Sequence, residues 1–397
     1  MPAKLLYSLC LLSVVTQAHE ITTDDKFVPM LNVGGRYLNS DADYPVAHLD
    51  NALETGALAA YKQGNAFDYV DVGLQAQWTS NVKTLFKGAY HGQDTGDTFE
   101  LEQAWLNYDY DIDMNNMLSA RVGRQYVALG KQNLEHSHQW QMGVEPLVMR
   151  ASIAEGWCDD GLDLSWQHEN GWSVGGGVFK GESFPSNAES GFNAVNARLG
   201  WQQDDNYMQL SLAQFKVSGR ATEQQNALTH THSQASCDKA TANIVCFKGD
   251  SQLAVLAAQW RFPDLKTMLN GEVWLKKETG NLSSLSGQVD YTGLITGAWL
   301  TANYQIKPSL QSYIRVENLQ GRHDLVGANA ALIAGEAEIG KSTGTSYRVG
   351  LGGVWLLPQG IRLSAEYHQQ HIINQKNNTV FLVRYQVDLL QVARIVK

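Results

Sequence analysis

Proline and cysteine are both scarce in this chain, at 8 and 4 of 397 residues. So few cysteines exclude a disulfide framework as the source of stability. Long apolar runs are missing too. Beyond the N-terminal segment no stretch approaches the ~20 apolar residues a membrane helix needs, which excludes a helical membrane protein. There is no basic excess: the net charge is −10, which argues against a nucleic-acid partner. Two catalytic signatures are absent as well: the chain holds no H-E-x-x-H and no Cys-x-x-Cys, so zinc-protease and dithiol chemistry have no motif support. One P-loop match occurs, Gly335-Glu336-Ala337-Glu338-Ile339-Gly340-Lys341-Ser342. A polar, Ala-rich stretch precedes it and an alternating strand follows, where phosphate cradling needs a strand and then a helix. The match is read as chance.

The N-terminus sets the compartment. Lys4, the short apolar run Leu5–Val15 and the small-residue end Thr16-Gln17-Ala18 are the three parts of a secretory signal peptide over 1–18. Cleavage after Ala18 leaves residues 19–397 and, with Lys4 gone, takes the net charge from −10 to −11. A lipoprotein reading on Cys10 has a poor flank in Tyr7-Ser8-Leu9. In an oxidising compartment Cys237 and Cys246 are expected to pair, leaving Cys158 as a lone thiol.

What the chain does have is glycine (36) and aromatic residues (11 Trp, 16 Tyr, 11 Phe), with a mean hydropathy of −0.28. A bilayer admits only helices or closed barrels, because every backbone group must be satisfied internally. Barrel strands turn only half their residues to lipid, so a spanning chain can keep a low average hydropathy. A secreted β-helix or sandwich would share this composition, and periodicity must decide.

Period-two alternation recurs from about residue 28 to residue 389. Ile361-Arg362-Leu363-Ser364-Ala365-Glu366-Tyr367-His368 is the clearest instance, and Val70–Trp78 repeats it. Sixteen strands are expected, near 28–38, 66–79, 82–91, 98–110, 116–127, 160–168, 171–180, 192–202, 206–218, 250–262, 265–276, 289–306, 309–320, 344–356, 360–370 and 378–389. Short turns alternate with mostly longer connections near 39–65, 92–97, 128–159, 181–191, 219–249, 277–288, 321–343 and 371–377. That asymmetry is expected of periplasmic turns and outer loops, and a sandwich gives no reason for it. Trp78, Tyr90, Tyr108, Tyr110, Tyr126, Trp172, Trp201, Trp260, Phe262, Tyr304 and Trp355 stand near strand ends, where two interfacial girdles are expected. The fold class is therefore all-β: a transmembrane antiparallel β-barrel of about sixteen strands. Barrels of this kind usually end on an aromatic residue, whereas this chain runs on as Leu390–Lys397.

With the apolar parity outward, the polar parity faces a lumen. It carries Arg36, Lys83, Lys87, Arg121, Arg198, Arg261, Lys276, Arg315, Arg348, Arg362 and Arg384, with a thinner set of acids: Asp71, Asp109, Asp163, Glu272, Glu317, Glu366 and Asp388. The third long connection, Ala128–Asp160, does not alternate, and it is expected to fold inward and narrow the bore. It carries Glu135, Glu145, Glu155 and Asp159 as constriction residues, together with His136 and His138. Facing a basic wall, those acids would set up a transverse field across the passage. The alternative is that the charges pair among themselves and keep the wall hydrated. His136 and His138, two apart beside Glu135, are also a candidate zinc or copper pair, as are His230 and His232 in the fifth connection. Solvated loop histidines are the simpler account of both.

This layout resembles the sixteen-stranded bacterial porins, whose third loop folds into the channel. Phe99-Glu100-Leu101-Glu102-Gln103-Ala104-Trp105-Leu106 followed by Ala120–Gln125 looks like early strands of the phosphate-selective porin O and P group. Asn133–Trp140, Glu145-Pro146-Leu147-Val148 and Asp159-Asp160-Gly161 are similar to a zinc-regulated outer-membrane group often labelled TonB-dependent receptors. That label implies a plug domain, for which a first strand near residue 28 leaves no length. The resemblance implies a Gram-negative outer-membrane porin for passive diffusion of small hydrophilic solutes or ions, with a link to divalent metal, no bound cofactor unless zinc, and assembly as a homotrimer. Two other classes remain: an outer-membrane barrel enzyme of lipase or protease type, and a non-channel adhesin or receptor that binds through 39–65 and 219–249.

Overall fold

The computed structural model describes residues 26–41, 49–54, 63–92, 98–154, 156–187, 190–223, 237, 244–340, 344–358 and 360–396. The expected signal peptide 1–18, Glu155, His230, His232, Lys341 and Ser342 lie outside the described residues. Sixteen strands form a closed antiparallel barrel. They are β1 (Phe27–Ser40), β2 (Gly64–Gln77), β3 (Val82–His91), β4 (Thr98–Asp111), β5 (Asn116–Tyr126), β6 (Cys158–His168), β7 (Trp172–Phe179) and β8 (Ala194–Gln203), followed by β9 (Asn206–Glu223), β10 (Ile244–Phe262), β11 (Thr267–Ser284), β12 (Gly287–Lys307), β13 (Leu310–Val326), β14 (Ser346–Leu357), β15 (Ile361–His371) and β16 (Asn378–Asp388). Each strand pairs with its sequence neighbours. β1 closes the cylinder on β16, from Asn32 opposite Asp388 to Ser40 opposite Val380.

The alternation seen in the sequence becomes an inverted burial pattern. Leu164, Leu212 and Val273 are 52%, 53% and 56% exposed, while Arg348 and His368 on the other parity are at 0%. A water-soluble protein buries the first kind and exposes the second. Here the outward apolar band is the surface a bilayer covers, and the polar face is enclosed. Exposed Trp78, Tyr108, Tyr110, Trp172, Trp260, Tyr304 and Trp355 ring the short-turn rim. The opposite rim carries Tyr37, Phe67, Phe99 and Tyr347 with the expected Tyr90, half-buried 6.5 Å from Phe67, but not the expected Tyr126. Tyr126 is buried, and it meets the ring of His136 edge-on.

Strands β9 to β13 run further than the alternation indicates. β11 continues to Ser284 and β12 starts at Gly287, so the long connection expected at 277–288 is a tight hairpin. Outward residues above Leu275 are Lys277 and Thr279. Clear of the bilayer, that face has no need of apolar side chains, and the period-two signal disappears. Inside this taller wall, Phe247, Leu282 and Tyr291 pack on Ile333 of helix α2 (Ala330–Glu336) and on Leu53. Cys237 is disulfide-bonded to Cys246 of β10. After β16 the chain turns into helix α3 (Leu389–Val396). The Asp388 carboxylate caps it, accepting from the amides of Leu390 and Gln391 at 3.0 Å each.

Candidate functional site

The segment joining β5 to β6, 127–157, forms two short 3-10 turns at Gln132–Leu134 and Ser137–Gln139 and then a two-turn helix, α1 (Leu147–Ile153). Its apolar residues cannot face water, and they find a core inside the barrel. Leu147, Val148, Met149, Ile153 and Trp157 pack on inward-facing Phe179, Phe215, Val255, Trp274, Ile295 and Trp299. Gly297 makes room for this packing: a Cβ there would stand 2.8 Å from Cβ of Val148. Asn133 ties the neck of the segment. Its side-chain amide donates to the carbonyls of Val127 (2.7 Å) and Trp157 (3.1 Å), and its Oδ1 accepts from the Trp157 amide at 2.7 Å.

A buried segment with little regular structure leaves many backbone groups to satisfy, and the far wall supplies their partners. At the start of the two-turn helix the Leu147 amide donates to Oε2 of Glu317 (2.8 Å), and at its end Nζ of Lys276 donates to the Ala151 carbonyl (2.6 Å). Both charges complement the helix dipole. Arg315 donates to the Val144 carbonyl, Arg348 to that of Glu145, Arg362 to that of Gln139 and Arg384 to those of Trp140 and Gln141. The Glu366 carboxylate accepts from the Gly143 amide at 2.9 Å.

The sequence-based picture of segment acids facing wall bases is therefore replaced. The guanidiniums serve backbone carbonyls, for which their fan of donors is suited. Glu145 pairs with Arg150 of the same segment at 2.7 Å, and Arg150 also holds Glu54 at 3.1 Å. Asp159 belongs to β6 rather than to the segment, and it accepts from the Gly181 amide at 2.7 Å. Glu135 lines a cavity of about 30 Å³ with Lys131, Trp140 and Arg315, room for about one water.

Elsewhere the wall is wetter. The pairs Arg36–Asp68 (2.6 Å), Lys83–Asp109 (3.6 Å), Arg198–Asp163 (2.6 Å) and Arg261–Asp205 keep side-chain exposures of 12–35%, against 0–3% for Arg315, Glu317 and Arg348. Arg121 lies over the Trp105 ring at 4.4 Å. The inserted segment thus packs against the β11–β16 side of the lumen, while the more exposed ion pairs stand on β1–β4, β6, β8 and β10, outside the buried cluster of Asp71, Lys87 and Glu102.

At the edge of the packed region His136 and His138 meet the wall. Their Nδ1 atoms are 2.7 Å apart, and Nε2 of His138 is 2.8 Å from Oδ2 of Asp71. Tyr69 stacks on His138 at 3.9 Å, and Lys87 bridges Asp71 (3.1 Å) and Glu102 (2.6 Å). Oε1 of Glu102 lies 3.6 Å from Nε2 of His136 and 3.9 Å from Nε2 of His91. Burial holds both segment imidazoles well below the ordinary histidine range, against the opposing pull of Glu102. Lys87, His136 and His138 were legible in the sequence as site residues. Asp71 was legible only as a lumen acid, and Glu102 and His91 were not singled out.

Glu102 escaped because it sits on a β-bulge. Lys87 faces Gln103 and Gly88 faces Leu101, so Glu102 is the extra residue on β4. Such a bulge re-aims a side chain. The Cys158 thiol supports it by donating to the Glu102 carbonyl at 3.1 Å. The signal was present: the parity of Phe99-Glu100-Leu101-Glu102 changes by Trp105, which faces inward with Asn107.

No family model matches the chain, and no curated protein matches it. Solved structures do share its fold. The outer-membrane channel DcaP of Acinetobacter baumannii superposes with a TM-score of 0.56 at 10% identity, covering 91% of this chain and 96% of that one. OprB of Pseudomonas putida gives 0.53 at 12%, covering 91% and 94%. An anion-selective porin from Comamonas acidovorans gives 0.51 at 12%, covering 91% and 98%. At such identities the likeness is one of fold: the chain has the sixteen-stranded barrel of the outer-membrane porins. With its exposed apolar band it is a multi-pass outer-membrane protein.

Proposed function

We propose that this barrel is a porin for passive diffusion of small hydrophilic solutes and ions, with the inserted segment 127–157 as its constriction. The observation that supports this most is the uneven filling of the lumen: Arg348–Glu317, locked to the segment, is dry, while Lys83–Asp109 and Arg198–Asp163 keep 12–35% side-chain exposure. A plug that served only to close the barrel would gain from sealing both. The test is deletion of Leu134–Val144 with single-channel recording in planar bilayers. Conductance should rise, and unchanged conductance removes the segment from the pathway.

The same proposal carries the finer expectations: removal of 1–18 on export, a homotrimer read as native mass in detergent, and divalent cations among the solutes. The likeness to the zinc-regulated group bears on that last point through His136 and His138, whereas the likeness to the phosphate-selective group would favour anions. Reversal potentials in a salt gradient separate the two. The protein is proposed as a non-enzyme, so lipid or peptide hydrolysis by the purified barrel would contradict this reading. A barrel with no conductance at all would instead be the adhesin or receptor.

A further inference from the structure

The geometry points to a divalent-cation site made by Nε2 of His91, Nε2 of His136 and Oε1 of Glu102, with His138 and Asp71 as positioning residues behind it. The site does not depend on whether solute passes the barrel.

The argument begins with protons. Asp71 is ion-paired with Lys87, so its carboxylate accepts, and Nε2 of His138 must be the donor at 2.8 Å. With a single ring proton, assigned to Nε2 by that contact, His138 has a bare Nδ1. The only hydrogen bond that fits the 2.7 Å between the two Nδ1 atoms is donation from His136. That leaves the lone pair of His136 on Nε2, which lies 3.6 Å from Oε1 of Glu102. A lone pair facing a carboxylate in a buried place is repulsive unless a cation lies between them. Lys87 engages the other oxygen, Oε2, at 2.6 Å. Oε1 has no hydrogen-bond donor, although it is buried.

Spacing agrees with this. The ligand atoms of His91, Glu102 and His136 lie within 4.8 Å of one another, and the two distances to Oε1 are 3.6 and 3.9 Å. Bonds of ~2.0–2.1 Å to a tetrahedral zinc put ligand atoms about 3.3 Å apart, so the two edges at Oε1 need to contract by about 0.3 and 0.6 Å and the third, within 4.8 Å, by about 1.5 Å at most. The Asp71–His138 contact is too short for such an edge and is a hydrogen bond. It plays the outer role that fixes a ligand's tautomer in metal sites. Two imidazoles and a carboxylate select a borderline cation such as zinc over calcium or magnesium. Three protein ligands leave the fourth position open, which suits exchange rather than permanent retention. The three rings retain 9–13% side-chain exposure, so the cation can arrive from the wet side of the lumen. Its ligands come from the wall (β3 and β4) and from the inserted segment, so binding pins one to the other.

The test is calorimetric titration of the full-length barrel in detergent with zinc chloride. One zinc per chain is expected. Glu102→Gln and His136→Ala should each weaken binding more than Asp71→Asn, which should cost about 10–100-fold, as second-layer partners do. Asp71→Glu, which keeps the acceptor, should recover most of that loss, whereas a residue needed only for packing would not be rescued in this way. His168→Ala, at the other end of the barrel, should change nothing. Should a variant fail to fold, cobalt on the wild type decides: four-coordinate cobalt gives intense visible bands, and their absence overturns the site. Zinc binding unchanged in Glu102→Gln also overturns it. Conductance is read separately, so a barrel that binds zinc but passes no ions refutes the porin and not the site.

Discussion

The amide of Leu147 is hydrogen-bonded at 2.8 Å to Oε2 of Glu317, which stands on the opposite wall of the barrel. The same carboxylate holds Arg315 at 2.9 Å and Arg348 at 2.9 Å. One side chain therefore caps a helix and pairs with two buried guanidiniums. Replacing Glu317 with Ala leaves both cations without it, a loss on the order of 3–5 kcal/mol for a broken buried pair. Thermal unfolding in detergent should start at lower temperature, and single-channel records should become noisier as the segment loosens.

Asp163 and Arg198 form a two-pronged pair with both contacts at 2.6 Å on the hydrated wall. Asp163→Asn should release the guanidinium's field into the passage. The reversal potential in a potassium chloride gradient should move toward anion preference. The shift should shrink in molar salt, where the screening length falls to about 3 Å.

The next residue points the other way. Leu164 is in the outward apolar band, so Leu164→Arg should cost roughly 2–4 kcal/mol if it lies near mid-bilayer, and less toward the rims. Urea unfolding from lipid vesicles measures this. The conductance of the folded fraction should be unchanged.

Asn133→Ala strips partners from two carbonyls and one amide at the neck of the segment. Each buried group left unsatisfied costs about 1–3 kcal/mol. The segment should open before the barrel does, and limited proteolysis should cut within 127–157 while the β-signal in circular dichroism persists.

Strand number, closure and the inward parity of Arg198, Glu317, Arg348 and Glu366 were legible because a bilayer enforces strict alternation. Where that enforcement stops, legibility stops. Thr279–Ser284 is strand but lies beyond the apolar band, so it read as a loop. Tyr126 read as a girdle residue because ring chemistry is the same at a rim and over a histidine. Asp159 was assigned to the segment because a strand edge at Cys158 leaves no mark in a run of acids. Glu102 needed the bulge, a one-residue slip of register, to be seen. That the wall arginines would grip the segment's carbonyls rather than the segment's carboxylates depends on where an irregular backbone passes, which no local pattern encodes.

The inserted segment leaves the wall between β5 and β6, yet its partners stand on strands far away in the chain: Asp71 on β2, Glu272 on β11, Glu317 on β13, Glu366 on β15 and Arg384 on β16. These partners stand together only when β1 has paired with β16, so the segment's full set of hydrogen bonds is a property of the closed cylinder and of no partial sheet.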